Sequence, residues 1–376
     1  MTGHKQSLTQ RTQSNAKHLS CFAEVFVDDT KHGFKIPQSD YFEKGQHVII
    51  DQGDNIIAGY SDRVEGLYTD VPVVVFGDHT RIVKYVDKPF FIGADGVKIL
   101  KPRDEVYPLF GYYALKAARI ESLGYSRHFK LVKELKFRLP SLPEQKRIAA
   151  VLDKICEMKR NVEARLQKLD LLVKSRFVEM FGDPTSGDGR WPTATLPELG
   201  ELNRGVSKDR PRNSPDLLGG PYPLIQTGDV SKAELWIREY GSTYSEKGLA
   251  QSRLWKRGTL CITIAANIAQ TGILDFDACF PDSVVGFVPN KRTNAIFIHY
   301  WFSFFQRILE AQAPQVAQKN INLRILSELR AIEPPLILQR EFAAFVAEVD
   351  KSKFVLRETL SRMETLYRAK LQEYFG

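Results

Sequence analysis

Arg, Lys, Asn and Gln on loops are the side chains that can hydrogen-bond the edges of bases in a nucleic-acid groove. Phosphates ask only for positive charge and small polar groups. The chain carries such residues in clusters. In its first half they are Lys31, His32 and Lys35; Gln52, Asn55, Tyr60 and Arg63; His79 and Arg81; and Arg127, His128 and Lys130. In its second half they are Arg204, Lys208 and Arg210; Asn267 and Gln270; Gln318, Lys319 and Asn320; and Asn322 with Arg324. A net charge of +8 suits a polyanionic partner, although charge alone decides little. For each residue the competing reading is a solvated loop position. His128 and Asn322, like Lys130 and Arg324, hold equivalent places in an internal repeat, just before a long helix. There they either touch a ligand or anchor what precedes the helix.

Catalytic spacings are missing. The sequence has no GxGxxG after a strand, no GxxxxGK[ST] phosphate loop, no nucleophile elbow and no HExxH. Asp183-Pro184-Thr185 opens like the Asp-Pro-Pro-aromatic tetrapeptide of amino-group methyltransferases but fails at its third position. Pro281-Asp282 has no acidic-x-Lys partner of the kind a nuclease needs. The four cysteines (Cys21, Cys156, Cys261 and Cys279) show no CxxC spacing, which fits thiols in a reducing cytoplasm. Metal ligation is not signalled. No apolar run approaches the length that spans a membrane, and the polar first twenty residues read as a loose N-terminal arm. The balance favours a binding protein over an enzyme.

What must position these loops is a duplicated scaffold. Residues 129–182 and 323–376 match without a gap over 54 pairs, thirteen of them identical, at an offset of 194. Weaker matches precede it in the same order. His47–Asp54 resembles Tyr222–Asp229, Val73–Phe76 resembles Leu260–Thr263, and Asp95–Leu100 resembles Asp282–Phe287. A chain of 376 residues exceeds what one core usually supports. The expected plan is α+β: a strand-rich region over residues 1–140, a helix over 141–182, a Gly/Pro/Ser/Asp linker over 183–190, a second strand-rich region over 191–332 and a second helix over 333–376.

Ser141-Leu142-Pro143-Glu144 has the form of a capping box with an early proline. From Glu144 to Phe181 there is no Gly or Pro, and such a helix of roughly 38 residues would be roughly 57 Å long. Apolar residues alternate in steps of four and three: Ile148, Leu152, Ile155, Val162, Leu166, Leu169, Val173 and Met180, then Phe342, Val346, Val349, Leu356, Leu360, Met363, Tyr367 and Tyr374. A seam of that period predicts a coiled coil. Its basic interruptions repeat too, as Lys159 with Lys353 and Arg176 with Lys370. If the helices pair antiparallel, Lys159 and Lys353 are expected to meet near the middle, fixing register or facing an acidic partner.

The run Leu139-Pro140-Ser141-Leu142-Pro143-Glu144-Gln145-Lys146-Arg147-Ile148-Ala149 resembles the opening of the conserved helix in specificity subunits of type I restriction-modification systems. The second opening, Glu333 to Ala343, is similar and departs at Leu338, where Glu is usual. Asp51-Gln52-Gly53 with Gly59-Tyr60, and Arg204-Gly205 with Tyr222-Pro223-Leu224-Ile225, resemble the starts of the two recognition domains of that family. The resemblance implies two target-recognition domains separated by two long antiparallel helices, each reading half of a bipartite site in double-stranded DNA. It also implies docking of two modification subunits and of restriction subunits. S-adenosylmethionine, ATP and magnesium would then sit on those partners and no cofactor on this chain. A helix of roughly 57 Å would separate half-sites by about 10–17 base pairs. The alternatives are a stand-alone DNA-modifying enzyme and a coiled-coil DNA scaffold without sequence preference.

Overall fold

The computed structural model describes residues 19–93, 95–186, 189–265, 269–305, 308 and 321–376. The polar arm over residues 1–18 and the middle of the linker lie outside them. The chain forms two compact units, Met1–Glu163 with Glu358–Gly376, and Ala164–Arg357.

In the first unit, β1 (Leu19–Cys21), α1 (Phe22–Val25) and β2 (Phe26–Asp28) lead into β3 (His47–Ile50), β4 (Gly59–Ser61), β5 (Val73–Gly77), β6 (Val83–Val86), β7 (Phe90–Ile92) and β8 (Val97–Pro102). There follow α2 (Pro108–Ala117), α3 (Phe129–Glu134), β9 (Lys136–Arg138) and the long helix α4 (Leu142–Phe181). One sheet has the order β2-β8-β5-β6 and a second the order β4-β3-β7, with β3 parallel to β7. Every residue of β5 is buried, as a β-branched run between two covered faces should be. Val74 and Phe76 join a core with Phe110, Tyr113 and Leu152, while Val73 and Val75 join one with Ile50, Phe90 and Ile99.

The second unit repeats this order. Its elements are β10 (Thr193–Thr195), α5 (Leu196–Leu199), β11 (Gly200–Arg204), β12 (Leu218–Leu224), α6 (Thr227–Lys232), β13 (Trp236–Ile237), β14 (Ser242–Tyr244), α7 (Glu246–Ala250), β15 (Leu260–Thr263), β16 (Thr271–Leu274) and β17 (Val284–Pro289). After them come α8 (Ala295–Phe302), α9 (Leu323–Glu328), β18 (Arg330–Ile332) and the second long helix α10 (Leu336–Phe375). The sheet β11-β17-β15-β16-β13 reproduces β2-β8-β5-β6 and adds β13, parallel to β16. The strand register corrects the repeat by one residue. Val74 stands opposite Leu100, and Leu260 stands opposite Phe287, all four in the helix-side cores. Leu260 is therefore the counterpart of Val74, not of Val73. A slip of one residue would put each side chain on the wrong face.

Both long helices are 40 residues, and each is clasped at its start by a buried glutamine. Gln145 accepts from the Tyr107 N–H (2.8 Å) and donates to the carbonyls of Glu105 (3.0 Å) and Pro140 (2.9 Å). Gln339 accepts from the Thr293 hydroxyl (3.0 Å) and the Asn294 N–H (3.1 Å), and donates to Arg292 (3.1 Å) and Pro334 (2.9 Å). The expected capping box is not the device used, because Glu144 forms a bidentate pair with Arg147 (2.8 and 2.7 Å). At the far end of α4, Gly182 takes a left-handed φ of 83° and donates to Val178, a glycine-terminated stop.

The helices pair antiparallel within each unit. In the first, the Arg147 guanidinium lies over Tyr374 (5.7 Å) and Lys159 approaches Glu364 (3.5 Å). In the second, Phe177 meets Phe342 (5.5 Å) and Asp170 meets Lys353. Lys159 and Lys353 are thus not neighbours; each faces a carboxylate in its own unit. Lys353 is buried and also reaches Glu234 (2.6 Å). Most seam residues near the heads are buried as expected, but Leu166, Leu169, Leu356 and Leu360 are only half-buried, as a two-helix seam with open flanks must leave them. Phe177, beside the seam position given to Arg176, is fully buried against Phe181, Phe297, Phe304 and Phe342. Among the described residues no helix is long and apolar enough to cross a membrane.

Candidate nucleic-acid interface

In the first unit the loops after β3, β5 and β7 and the segment before α3 converge. Gln52 ties three of them: its Oε1 accepts from the His79 N–H (3.2 Å), its Nε2 donates to the Asp95 carbonyl (3.2 Å), and its own carbonyl accepts from the Thr80 hydroxyl (2.6 Å). Lys84, nearly buried, donates to the carbonyls of Asp51 (2.8 Å) and Asn55 (2.5 Å) and holds the same loop from beneath. Burial pushes the pKa of that ammonium down against the pull of Asp51. Arg81, at a left-handed φ of 62°, donates to the Ile120 carbonyl (3.0 Å). Lys35 pairs with Asp95 (2.7 Å), whose carboxyl it holds below the usual range.

Of the residues read from sequence, this cluster gathers Lys35, Gln52, Asn55, His79, Arg81, Arg127, His128 and Lys130. Two of them serve the scaffold. Gln52 spends its amide on the loops. His128 is buried, with Nδ1 on the Asp78 carbonyl (2.9 Å) and Nε2 accepting from the Leu123 N–H (2.9 Å). That arrangement requires the neutral ring and leaves no edge for a base. Arg127 and Lys130 are exposed. Two cations not singled out in the sequence join them: Lys98 and Lys133 approach the ring of the buried Phe129 at 5.1 and 4.9 Å. Lys133 follows Phe129 by one helical turn, a spacing visible in the sequence, whereas Lys98 comes from β8 and had no such signal. His79 Nδ1 is buried without a partner among the described residues.

Lys31, His32, Tyr60 and Arg63 make their contacts elsewhere. His32 pairs with Asp29 (2.6 Å) beside the exposed Lys31. Tyr60 exchanges backbone hydrogen bonds with Phe42. Arg63 donates to the Glu65 carbonyl (2.9 Å) and stacks over Phe34 (4.1 Å).

In the second unit the cationic loop follows β11. Arg204 ends the strand opposite Val285, and the next turn runs so close to Phe280 and Pro281 that a side chain at Gly205 would strike their carbonyls. Gln251, buried, accepts from the N–H groups of Lys208 (2.6 Å) and Asp209 (3.2 Å) and so fixes the loop while the Lys208 side chain stays exposed. Arg210 donates to the carbonyls of Ser207 (2.7 Å) and Asp209 (2.9 Å). Arg210 and Arg212 both face Asp282. Gln270 lends its backbone N–H to Thr263 and leaves its side chain exposed. Asn322 caps α9 through the Ile325 N–H (3.0 Å), and Arg324 is an exposed cation 3.7 Å from Glu328. Asn267, Gln318, Lys319 and Asn320 lie outside the described residues. The arrangement in each unit is a fixed loop frame carrying exposed cations, suited to a phosphate backbone.

Known proteins resemble the chain over most of its length. The family described as "Type I restriction modification DNA specificity domain" matches residues 20–170 and 189–362. The MjaX type I restriction enzyme specificity subunit of Methanocaldococcus jannaschii is 22% identical over 275 residues, 68% of this chain, which spans 61% of that protein's length. The EcoBI specificity subunit of Escherichia coli is 23% identical over 93% of this chain and 84% of its own. Among solved structures, the S subunit of a type I restriction-modification system from M. genitalium superposes with a TM-score of 0.60 at 16% identity, covering 97% of this chain and 98% of its own. A chain from a study of complex assembly and conformational transition in the type I system gives 0.55 at 16%, with 95% and 97% covered.

Proposed function

The chain belongs to the type I restriction-modification DNA specificity family, and from that premise we propose that it reads a bipartite site in double-stranded DNA, one half with each unit. The observation that carries this is the repetition of one strand frame. Both units order four strands alike, β2-β8-β5-β6 and β11-β17-β15-β16, and hold an exposed cation at the start of the corresponding short helix, Lys130 in α3 and Arg324 in α9. The frame is constant and its loops differ, as two readers of different sequences would require.

The reading extends to partners. Two modification subunits and the restriction subunits would assemble on the chain, carrying S-adenosylmethionine, ATP and magnesium, while the chain itself catalyses nothing and works in the cytoplasm. Two copies of one partner suit a chain whose helices present the same repeated residues twice. Methylome sequencing of a host that expresses the chain with its modification subunit is expected to show a bipartite methyladenine motif. Exchanging residues 1–140 for those of a relative should change one half of the motif only. A single continuous motif, or a change in both halves, would overturn the assignment.

A further inference from the structure

The two units differ in the gap beside β8 and its counterpart β17. In the first unit the Gln52 side chain crosses the gap between the loop after β3 and the loop before β8, with its Oε1 3.2 Å from where a Cβ on Gly96 would stand. In the second unit the corresponding gap is an open cavity of about 270 Å³. The counterpart of Gly96 is Ser283, which lines the cavity with Asn213, Gln226, Thr227 and Ser242. The side chains of Asn213, Thr227, Ser242 and Ser283 form no hydrogen bond among the described residues. Leu224 and Pro281 supply apolar walls, and Tyr244 is buried at the base. Arg212 stands at the rim, held on Asp282 next to Arg210.

We propose that this cavity takes a single nucleobase drawn out of the duplex, an inference that rests on the DNA-reading assignment above. Base edges in an intact groove are recessed, so the element that reads them has to protrude. A concave pocket instead receives a group that protrudes from its ligand. An unstacked base has two apolar faces and a hydrogen-bonding edge, which match the Leu224 and Pro281 walls and the uncommitted polar rim. Ligand sites usually enclose roughly 300–1,000 Å³; this cavity sits just below that range, the size for one base rather than a nucleotide cofactor. Arg210 and Arg212 would hold the phosphates flanking the extruded position. The first unit, with Gln52 in the gap, would read its half-site without extruding a base.

The test uses the full chain without modification subunits, so that no other protein can unstack the DNA. 2-Aminopurine is placed one position at a time through the half-site read by the second unit, and its emission is followed on binding. A several-fold rise at one position is expected, with none in the other half-site. Ser242→Trp, which fills the cavity, should abolish the rise. The paired change Thr227→Val with Ser283→Ala, which keeps its volume, should cut it several-fold while melting temperature stays put. Sequence-specific binding with no brightened position, or a rise undiminished in both variants, overturns the proposal. Binding without any sequence preference would instead overturn the DNA-reading assignment beneath it.

Discussion

Replacing Gln339 by Leu tests whether the repeated glutamine is the clasp between helix and head. The substitution keeps the bulk of the side chain and removes four hydrogen bonds. The Thr293 hydroxyl can turn to another acceptor, but the Asn294 N–H and the carbonyls of Arg292 and Pro334 lose this partner. Stranding a buried polar group costs about 1–3 kcal/mol. Three such groups, offset by the added apolar burial of Leu, give a net loss of about 3–5 kcal/mol. At about 2–4 °C per kcal/mol for a unit of this size, calorimetry of the full chain should show the transition of the second unit falling by about 6–20 °C. Gln145→Leu strands the Tyr107 N–H and the carbonyls of Glu105 and Pro140, so the first unit should suffer comparably. The two clasps share no bonding partner, and the double variant should be additive within about 0.5 kcal/mol. Gln339→Glu keeps the shape but turns an acceptor toward two carbonyls, and at neutral pH it should destabilise at least as much. A Gln339→Leu loss below about 1 kcal/mol, or a neutral Gln339→Glu, would refute the clasp.

Lys353→Met should cost about 1–2 kcal/mol in a urea titration, because Asp170 and Glu234 lose the buried ammonium between them, with Arg357 left on Glu234 and both carboxylates half-exposed; Lys159→Met, whose carboxylate partner is half-exposed at 3.5 Å, should cost less than about 1 kcal/mol. Burial lowers the pKa of His299, bonded to Thr271 (2.9 Å), from 6.5 to about 4. The unfolded chain then binds the proton first, so stability is complete above about pH 6.5 and falls toward pH 4, by about 3 kcal/mol for this group. A His299→Gln variant should show a flatter urea midpoint over that range. Lys130→Ala and Lys208→Ala should each weaken DNA binding across all sequences and lower the salt slope by about one, in titrations over several salt concentrations.

Much of the fold was legible because it is periodic. The seam spacing gives the helices, and the gapless repeat shows that they are one element used twice. What resisted was register. Sequence spacing does not say where two antiparallel helices cross, so Lys159 was placed against Lys353 when Glu364 is the residue opposite it. A match between short strands cannot distinguish Val73 from Val74 until their faces are known. The loop residues resisted for another reason. An amide on a loop can serve a base or a neighbouring carbonyl with the same two groups, and Gln52 and His128 turned inward. Phe177 was hidden by Arg176, which holds the expected position in the spacing while the ring beside it fills the core.

The division of the helices between the units has a consequence for how the chain is made. Residues 164–357 form the second unit without interruption, whereas the first needs residues 358–376, with Phe375 against Phe110 at 5.4 Å. A ribosome therefore releases the start of the first unit long before the strand of helix that completes it, and the intervening loop must close across the entire second unit. The part synthesised first is finished last. During that interval the core around Phe110 lacks the cover of Tyr367, Leu371, Tyr374 and Phe375, which makes the nascent first unit the segment most in need of a chaperone and most open to a protease.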